Sequence, residues 1–235
     1  SSEVLLTKIK FIKEQNNIKI ATKEILDKIS HKVDELSQNG LRVIMFAYKE
    51  LGFKEKINEE DEKDLIYVGL VSIVDPLRKE SFKAVRDCLS AGIKPVMLTG
   101  DHKETALYIA REVGIYKNDD LVVTGEELDK MSDTELGKQI ERITVFSRLN
   151  PIHKIRIVKA WQKRGGIVAM TGDGINDAPA IRQADIGIAM GKSGTEVAKE
   201  ASSIILADDD FATIIKAVAN GRNVYQNIQN AIRFL

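Results

Sequence analysis

The chain has 235 residues, with 35 Lys and Arg against 35 Asp and Glu, so it lacks the global basic field that nucleic acid requires and any acidic excess that would suit a basic partner. A single cysteine, Cys88, excludes an internal disulfide framework and fits a buried thiol in a reducing compartment, and the three histidines, His31, His102 and His153, lack metal-ligand spacing. No apolar run reaches membrane-spanning length and the first residues lack the pattern of a secretory signal, so the chain as given is expected to be soluble, with no membrane contact of its own.

Residues 1–40 are rich in Lys, Glu, Ile and Leu and read as two helices joined near 15–17, with Asn39-Gly40 as the stop. Residues 41–51, LRVIMFAYKEL, read as a strand, and the charge run 54–64 as a solvated boundary loop. A helix pair with one strand is a poor core by itself, so this region is expected to be part of a larger domain and to leave apolar edges exposed. From residue 65 the pattern changes to regular alternation. Strands are predicted at 65–74, 94–98, 121–123, 144–147, 167–170, 186–189 and 204–206. Helices are predicted over 78–90, 102–113 and from Thr124, Ser132, Asn150, Asp177, Thr195 and Phe211. Such alternation predicts a doubly wound parallel sheet. The last helix carries apolar residues at helical spacing and shows no stop signal, so it is expected to continue beyond Leu235.

Chemistry is expected where an apolar run ends in Thr-Gly-Asp, which happens twice, at 95–101 and at 167–173. In an open α/β sheet, ligands bind where the C-terminal ends of strands converge, so the two tips point to one shared site. In the second, the glycines 172 and 174 allow close backbone approach, and the carboxylates Asp173 and Asp177 beside a helix start suit a divalent cation. Asp-Gly is also a common turn pair and Asp177 a good helix start, so spacing alone leaves both readings open. Lys154 lies near the first turn of the helix opened by Asn150-Pro151, where a cation is unfavourable unless it faces an anion. Thr99, Gly100, Lys154, Asp173 and Asp177 form a set suited to phosphoryl transfer, which needs charge neutralised and geometry held. Asp75 ends a strand but precedes Pro76, which supplies no backbone donor, so a turn or hinge is expected there rather than a nucleophile.

The motifs VGLVSIVDPLR (68–78), MLTGD (97–101), FSRLNPIHK (146–154) and MTGDGINDAPAIRQADIGIAMGKSGTEVAKEAS (170–202) together resemble the cytoplasmic part of a P-type cation-transporting ATPase. GLRVIMFAYKEL (40–51) resembles the end of that family's nucleotide-binding domain, and TGDGIND followed by AP is the most specific of these signals. The resemblance implies an α/β fold, a haloacid-dehalogenase-like doubly wound parallel sheet, with an incomplete α+β nucleotide-domain remnant before it. The implied division is 1–64 for that remnant, 65–212 for the phosphorylation domain and 213–235 for the start of a stalk helix. It further implies that Asp173 is a Mg2+ ligand supported by Asn176 and Asp177, that Lys154 contacts the phosphoryl group and that the Thr99 hydroxyl holds a phosphoryl oxygen. Gly100, Asp101 and Arg148 resemble groups near the nucleotide, Arg42 a phosphate-contacting arginine, and Asp75, Pro76 and Arg78 the hinge between domains.

One departure matters as much. The family's phosphorylated aspartate lies in an Asp-Lys-Thr-Gly-Thr loop, and that string does not occur in this sequence. The chain is therefore expected to be a cytoplasmic portion of an integral membrane protein and to be inactive alone. Its implied partners are ATP, Mg2+, a transported cation and the remaining domains of the parent, and its motif details most resemble the group that includes calcium pumps. Two other readings remain: a soluble phosphatase of the same superfamily using Asp75, and a non-catalytic nucleotide-binding module.

Overall fold

The computed structural model describes residues 2–14, 17–51, 58–73 and 76–234, and these fall into two compact units, residues 1–76 and 77–235. The first unit opens with helix α1 (Ser2–Lys8), followed by strands β1 (Ile9–Glu14) and β2 (Asn17–Ile20), helix α2 (Lys23–Gln38) and strand β3 (Arg42–Tyr48). A short 3-10 turn, Glu59–Asp61, precedes strand β4 (Leu65–Ile73). The four strands form one sheet in the order β2-β1-β4-β3, in which β1 and β4 are parallel and the outer pairs antiparallel.

The two-helix expectation for residues 1–40 is corrected here. Its middle is a hairpin, with Phe11 opposite Ile20 and Glu14 opposite Asn17. Lys, Ile and Glu serve helix and strand alike in such a stretch; of the expected joint at 15–17, residues 15 and 16 lie outside the described residues and Asn17 opens β2. Ile9 and Ile12 are buried from β1, and Ile9 packs with Val33 of α2 and Met45 of β3 to form the unit's core. Side chains alternate along β3, so Val43, Met45 and Ala47 pack toward the core while Ile44 and Phe46 are exposed. Ile18, Ile20, Val68 and Val71 are exposed too, as expected of a sheet with two α-helices, among the described residues, to cover it. The alternation in sequence groups 65–73 with the later elements, yet β4 hydrogen-bonds to β1 and β3, and the division between compact units falls after Pro76.

The second unit alternates as predicted. Its elements are α3 (Lys79–Ser90), β5 (Met97–Leu98), α4 (Lys103–Glu112), β6 (Leu121–Thr124), α5 (Gly125–Lys130), α6 (Asp133–Gln139), β7 (Ile143–Ser147) and α7 (Pro151–Lys163). They continue with β8 (Ala169–Gly172), α8 (Ala178–Gln183), β9 (Ile186–Met190), α9 (Glu196–Ala201), β10 (Ile204–Leu206) and α10 (Phe211–Phe234). Two parallel three-stranded sheets result, ordered β5-β7-β6 and β10-β9-β8, which makes the unit a Rossmann-like α/β fold. Helix starts follow local chemistry: Thr124, Ser132 and Asn150 each close a reciprocal capping box, with Glu127, Glu135 and His153 respectively.

Helix α7 is common to both sheets. Ile157 packs with Val123, Leu128, Leu136, Ile143 and Phe146, whereas its neighbour Val158 packs with Met170, Ile181 and Ala189. Leu98 of β5 lies against both clusters. Cys88 is buried in α3, and burial, with a smaller contribution from Asp87, pushes its thiol pKa up, which fits a structural role. Helix α10 packs on α3, Arg222 Nη1 near its middle donates to the carbonyl of Ala91 at the end of α3 at 2.9 Å, and Val224, Ile228 and Ile232 are exposed. Among the described residues, no helix is long and apolar enough to cross a membrane.

Asp209 closes the end of this unit. Its Oδ1 accepts the N–H groups of Gly191 (2.7 Å) and Lys192 (2.9 Å), its Oδ2 that of Ser193 (2.8 Å), and its carbonyl the Arg78 guanidinium (2.7 Å). Bonding from Lys192, joined by Ser193 and Gly191, outweighs burial and lowers its carboxyl from 3.8 to about 2. A depressed carboxyl contributes stability that is fully present above the unfolded pKa and is lost as pH falls through the folded one. Asp209→Asn should therefore lower the urea midpoint at neutral pH, and the gap from the parent should close between about pH 4 and about pH 2. A gap that does not change with pH would contradict this.

Candidate phosphoryl-transfer site

The first tip is built by β5 and the turn after β7. Thr99 extends the ladder by donating its N–H to the Phe146 carbonyl (3.0 Å), and its own carbonyl accepts the Leu149 N–H (3.1 Å). The Thr99 hydroxyl donates to Asp101 Oδ2 at 2.9 Å and accepts the Asp101 N–H at 3.1 Å. The Asp101 carbonyl takes the N–H of Arg148 (3.0 Å), whose φ of +53° is left-handed for a residue with a side chain. The structure thus brings Thr99, Gly100, Asp101 and Arg148 together at one strand tip.

The second tip is built by β8, the turn that follows it, and α7. Lys154 Nζ forms an ion pair with Asp177 Oδ1, and the two side chains are only 12% and 13% exposed. That pair answers the question raised by a cation in the first turn of a helix: the anion it faces is Asp177. The other oxygen, Oδ2, accepts the Gly174 N–H at 3.3 Å. Only glycine fits at 172, because a Cβ there would lie 2.4 Å from the Asp177 Cβ. Asp173 and Asn176 are exposed, and the Asp173 carbonyl accepts the Thr195 N–H at 2.8 Å, which ties this turn to the start of α9.

Among the described residues, no three His, Cys, Asp or Glu side chains converge on a cation position. The donor set still fits Mg2+, which keeps several waters and is commonly held by one or two carboxylates with substrate phosphates. The exposed carboxylate of Asp173 is the oxygen donor available for such a site, since the Asp177 carboxylate is already engaged by Lys154.

The remaining predicted residues lie elsewhere. Arg42 is exposed at the start of β3 in the first unit, and Pro76 is exposed at that unit's end. Arg78 bonds the Asp209 carbonyl, and Asp75 lies outside the described residues. Sequence reasoning missed Asp209 and Thr195, because an Asp-Asp-Asp run and a Thr helix start announce local caps and say nothing about which distant loop they hold. It also missed the contact between His153 and Asp129, whose Nε2 and Oδ1 are 2.8 Å apart. Isolated histidines carry no spacing signal.

Gly172→Ala should push Asp177 off Lys154 and lower the stability of the second unit by about 1–3 kcal/mol, the usual range for overpacking a close contact. Urea unfolding measures this, and an unchanged midpoint would show that the turn yields without loss.

The haloacid dehalogenase-like hydrolase family model matches residues 5–185. A calcium-transporting ATPase of Listeria monocytogenes is 46% identical over 234 residues, covering 99% of this chain and 26% of that protein. A calcium-transporting ATPase of Bacillus subtilis is 50% identical over 201 residues, 85% of this chain and 23% of that protein. A cation-transporting ATPase of Synechocystis is 48% identical over 210 residues, 88% of this chain and 23% of that protein. The chain thus spans about a quarter of the length of these curated relatives. The resemblance to P-type cation-transporting ATPases is borne out, and the chain belongs to the haloacid dehalogenase-like hydrolase family.

Proposed function

We propose that this chain is the phosphoryl-transfer portion of an ATP-driven cation pump of the calcium-transporting group. In the parent, ATP phosphorylates an aspartate supplied by sequence outside this chain, and the energy of that aspartyl phosphate drives cation transport. The observation that carries the reading is the nearly buried Lys154–Asp177 pair at the tip of a parallel strand, with the exposed Asp173 four residues before Asp177 in the same turn. The similarity to calcium-transporting ATPases of bacteria supports the choice of cation.

The residues divide the work by charge. A transferring phosphoryl group spreads negative charge over its oxygens, so fixed positive groups stabilise the transition state more than the dispersed ground state. Lys154 supplies that positive charge, and Asp177 holds its ammonium in one place. Thr99 offers a hydroxyl that now donates to Asp101 and can turn to a phosphoryl oxygen. Asp173 would hold Mg2+, supported by Asn176 and Asp177; when bound, the ion neutralises phosphate charge and fixes its orientation. Gly100, Asp101 and Arg148 would lie near the nucleotide, and Arg42 would serve as a phosphate-contacting arginine of the nucleotide domain. Asp75, Pro76 and Arg78 would form the hinge between nucleotide and phosphorylation domains, with the 213–235 helix leading toward the membrane.

The sheet organisation agrees with a missing strand. β5 hydrogen-bonds only to β7, and β8 only to β9, among the described strands. Both pack against the residues of α7, so a strand bearing the aspartate would complete one sheet between them.

The chain alone should form no hydroxylamine-sensitive phosphoprotein with labelled ATP and Mg2+. Joined to the segment that carries the nucleotide domain and aspartate loop, it should become labelled. Lys154→Ala and Asp173→Asn should each cut the labelling rate roughly 10²- to 10³-fold, the loss typical of one transition-state contact. A folded, ATP-binding protein that stays unlabelled would favour a non-catalytic nucleotide-binding module, and phosphate release by the chain alone would favour a phosphatase.

A further inference from the structure

His153 is 5% exposed and sits immediately before Lys154, and both of its ring nitrogens are used. Nδ1 accepts the Asn150 N–H at 3.2 Å, so the ring proton lies on Nε2, which donates to Asp129 Oδ1 at 2.8 Å. In return, the His153 N–H donates to Asn150 Oδ1 at 2.9 Å. The imidazole therefore joins three pieces of chain: the start of α7, the turn before it, and α5.

Contact on the α5 side is close enough to demand glycine. A Cβ on Gly125 would fall 2.8 Å from His153 Cε1, 2.9 Å from its Nδ1 and 2.4 Å from the Arg148 carbonyl oxygen. Arg148 itself is held at φ +53°, a conformation that persists in a non-glycine residue only where its surroundings over-determine it. Its N–H reaches the Asp101 carbonyl at one tip, while Lys154 pairs with Asp177 at the other. His153 lies between these two anchors in sequence and is buried.

We propose that His153, seated on Gly125 and bonded to Asp129, is a positioning residue that fixes the first turn of α7 and thereby aims Lys154 at Asp177. Successive helical residues point about 100° apart, so locking residue 153 against α5 sets the direction of residue 154. Pro151 contributes no N–H to that turn, so without the imidazole the turn keeps the cap from Asn150 Oδ1 to the residue 153 N–H but loses the Asn150 N–H bond and the tie to Asp129 on α5. The functional meaning rests on the reading of Lys154 as the phosphoryl-facing cation, although the geometry of the clamp does not.

The test needs no nucleotide, which keeps its failure distinct from failure of the pump reading. The chain is treated briefly with acetic anhydride, and the acylation rate of each lysine is read by mass spectrometry. In the parent, Lys154 should react slowly, because its side chain is 12% exposed and paired, and Lys163, 72% exposed on the same helix, should react fast. His153→Ala should raise the Lys154 rate about tenfold by opening the first turn, with Lys163 unchanged. His153→Gln, which keeps one acceptor and one donor, should restore most of the protection.

An unchanged Lys154 rate in folded His153→Ala protein overturns the proposal, as does an equal rise at every lysine. Should that variant fail to fold, Asp129→Ala gives the same readout, since Asp129 is 66% exposed and its loss opens no cavity. There a several-fold rise confined to Lys154 supports the clamp. An unchanged rate rejects it.

Discussion

An ammonium group in the first turn of a helix stands in the positive end of the helix field, and it stays there only when an anion compensates. Lys154 and Asp177 meet that requirement in a place where little water reaches either side chain. The pair joins the start of α7 to the turn after β8, so the direction of a helix and the shape of a loop are set by one contact. Around it the neighbouring features become intelligible. Gly172 must lack a side chain for Asp177 to come close, and the Gly174 N–H takes the carboxylate oxygen that Lys154 leaves open.

Helix α7 gives that contact its rigidity. Adjacent residues, Ile157 and Val158, are buried in different apolar clusters, each associated with a different three-stranded sheet. A helix held on two sides has little freedom to tilt, because close-packed interiors resist even small displacements. The same helix begins at the Asn150 cap, directly after the turn that crosses the Thr99 tip. Apolar packing thus fixes polar geometry, with the core of the second unit serving as the frame on which two strand tips are mounted.

The parts of the structure that obey local rules were legible in the sequence. Strand 204–206 and the helix starts at Thr124, Ser132, Asn150 and Thr195 appear where their residues predict, because a capping box or a short branched run is decided within a few positions. Residues 9–20 were misread because IKFIKEQNNIKI satisfies helical and strand patterns together, and pairing between β1 and β4, more than fifty residues apart, is what decides it. In the site, the repeated Thr-Gly-Asp named both tips, and an awkwardly placed lysine implied a nearby anion. Which anion, and the role of His153 and Asp209, depended on contacts that span 16 to 24 residues and leave no periodic trace.

The turn at 191–193 offers three N–H groups to a single carboxylate, an arrangement that elsewhere in proteins would capture phosphate. Here the receptor arrives already filled by the chain's own Asp209. Its donors are spent on an internal counter-ion, so the loop has no vacancy to offer free phosphate or nucleotide in the surrounding solution. An anion cradle is thus present in this unit and kept silent by occupation, its three N–H groups turned inward on a carboxylate eighteen residues or fewer along the same chain.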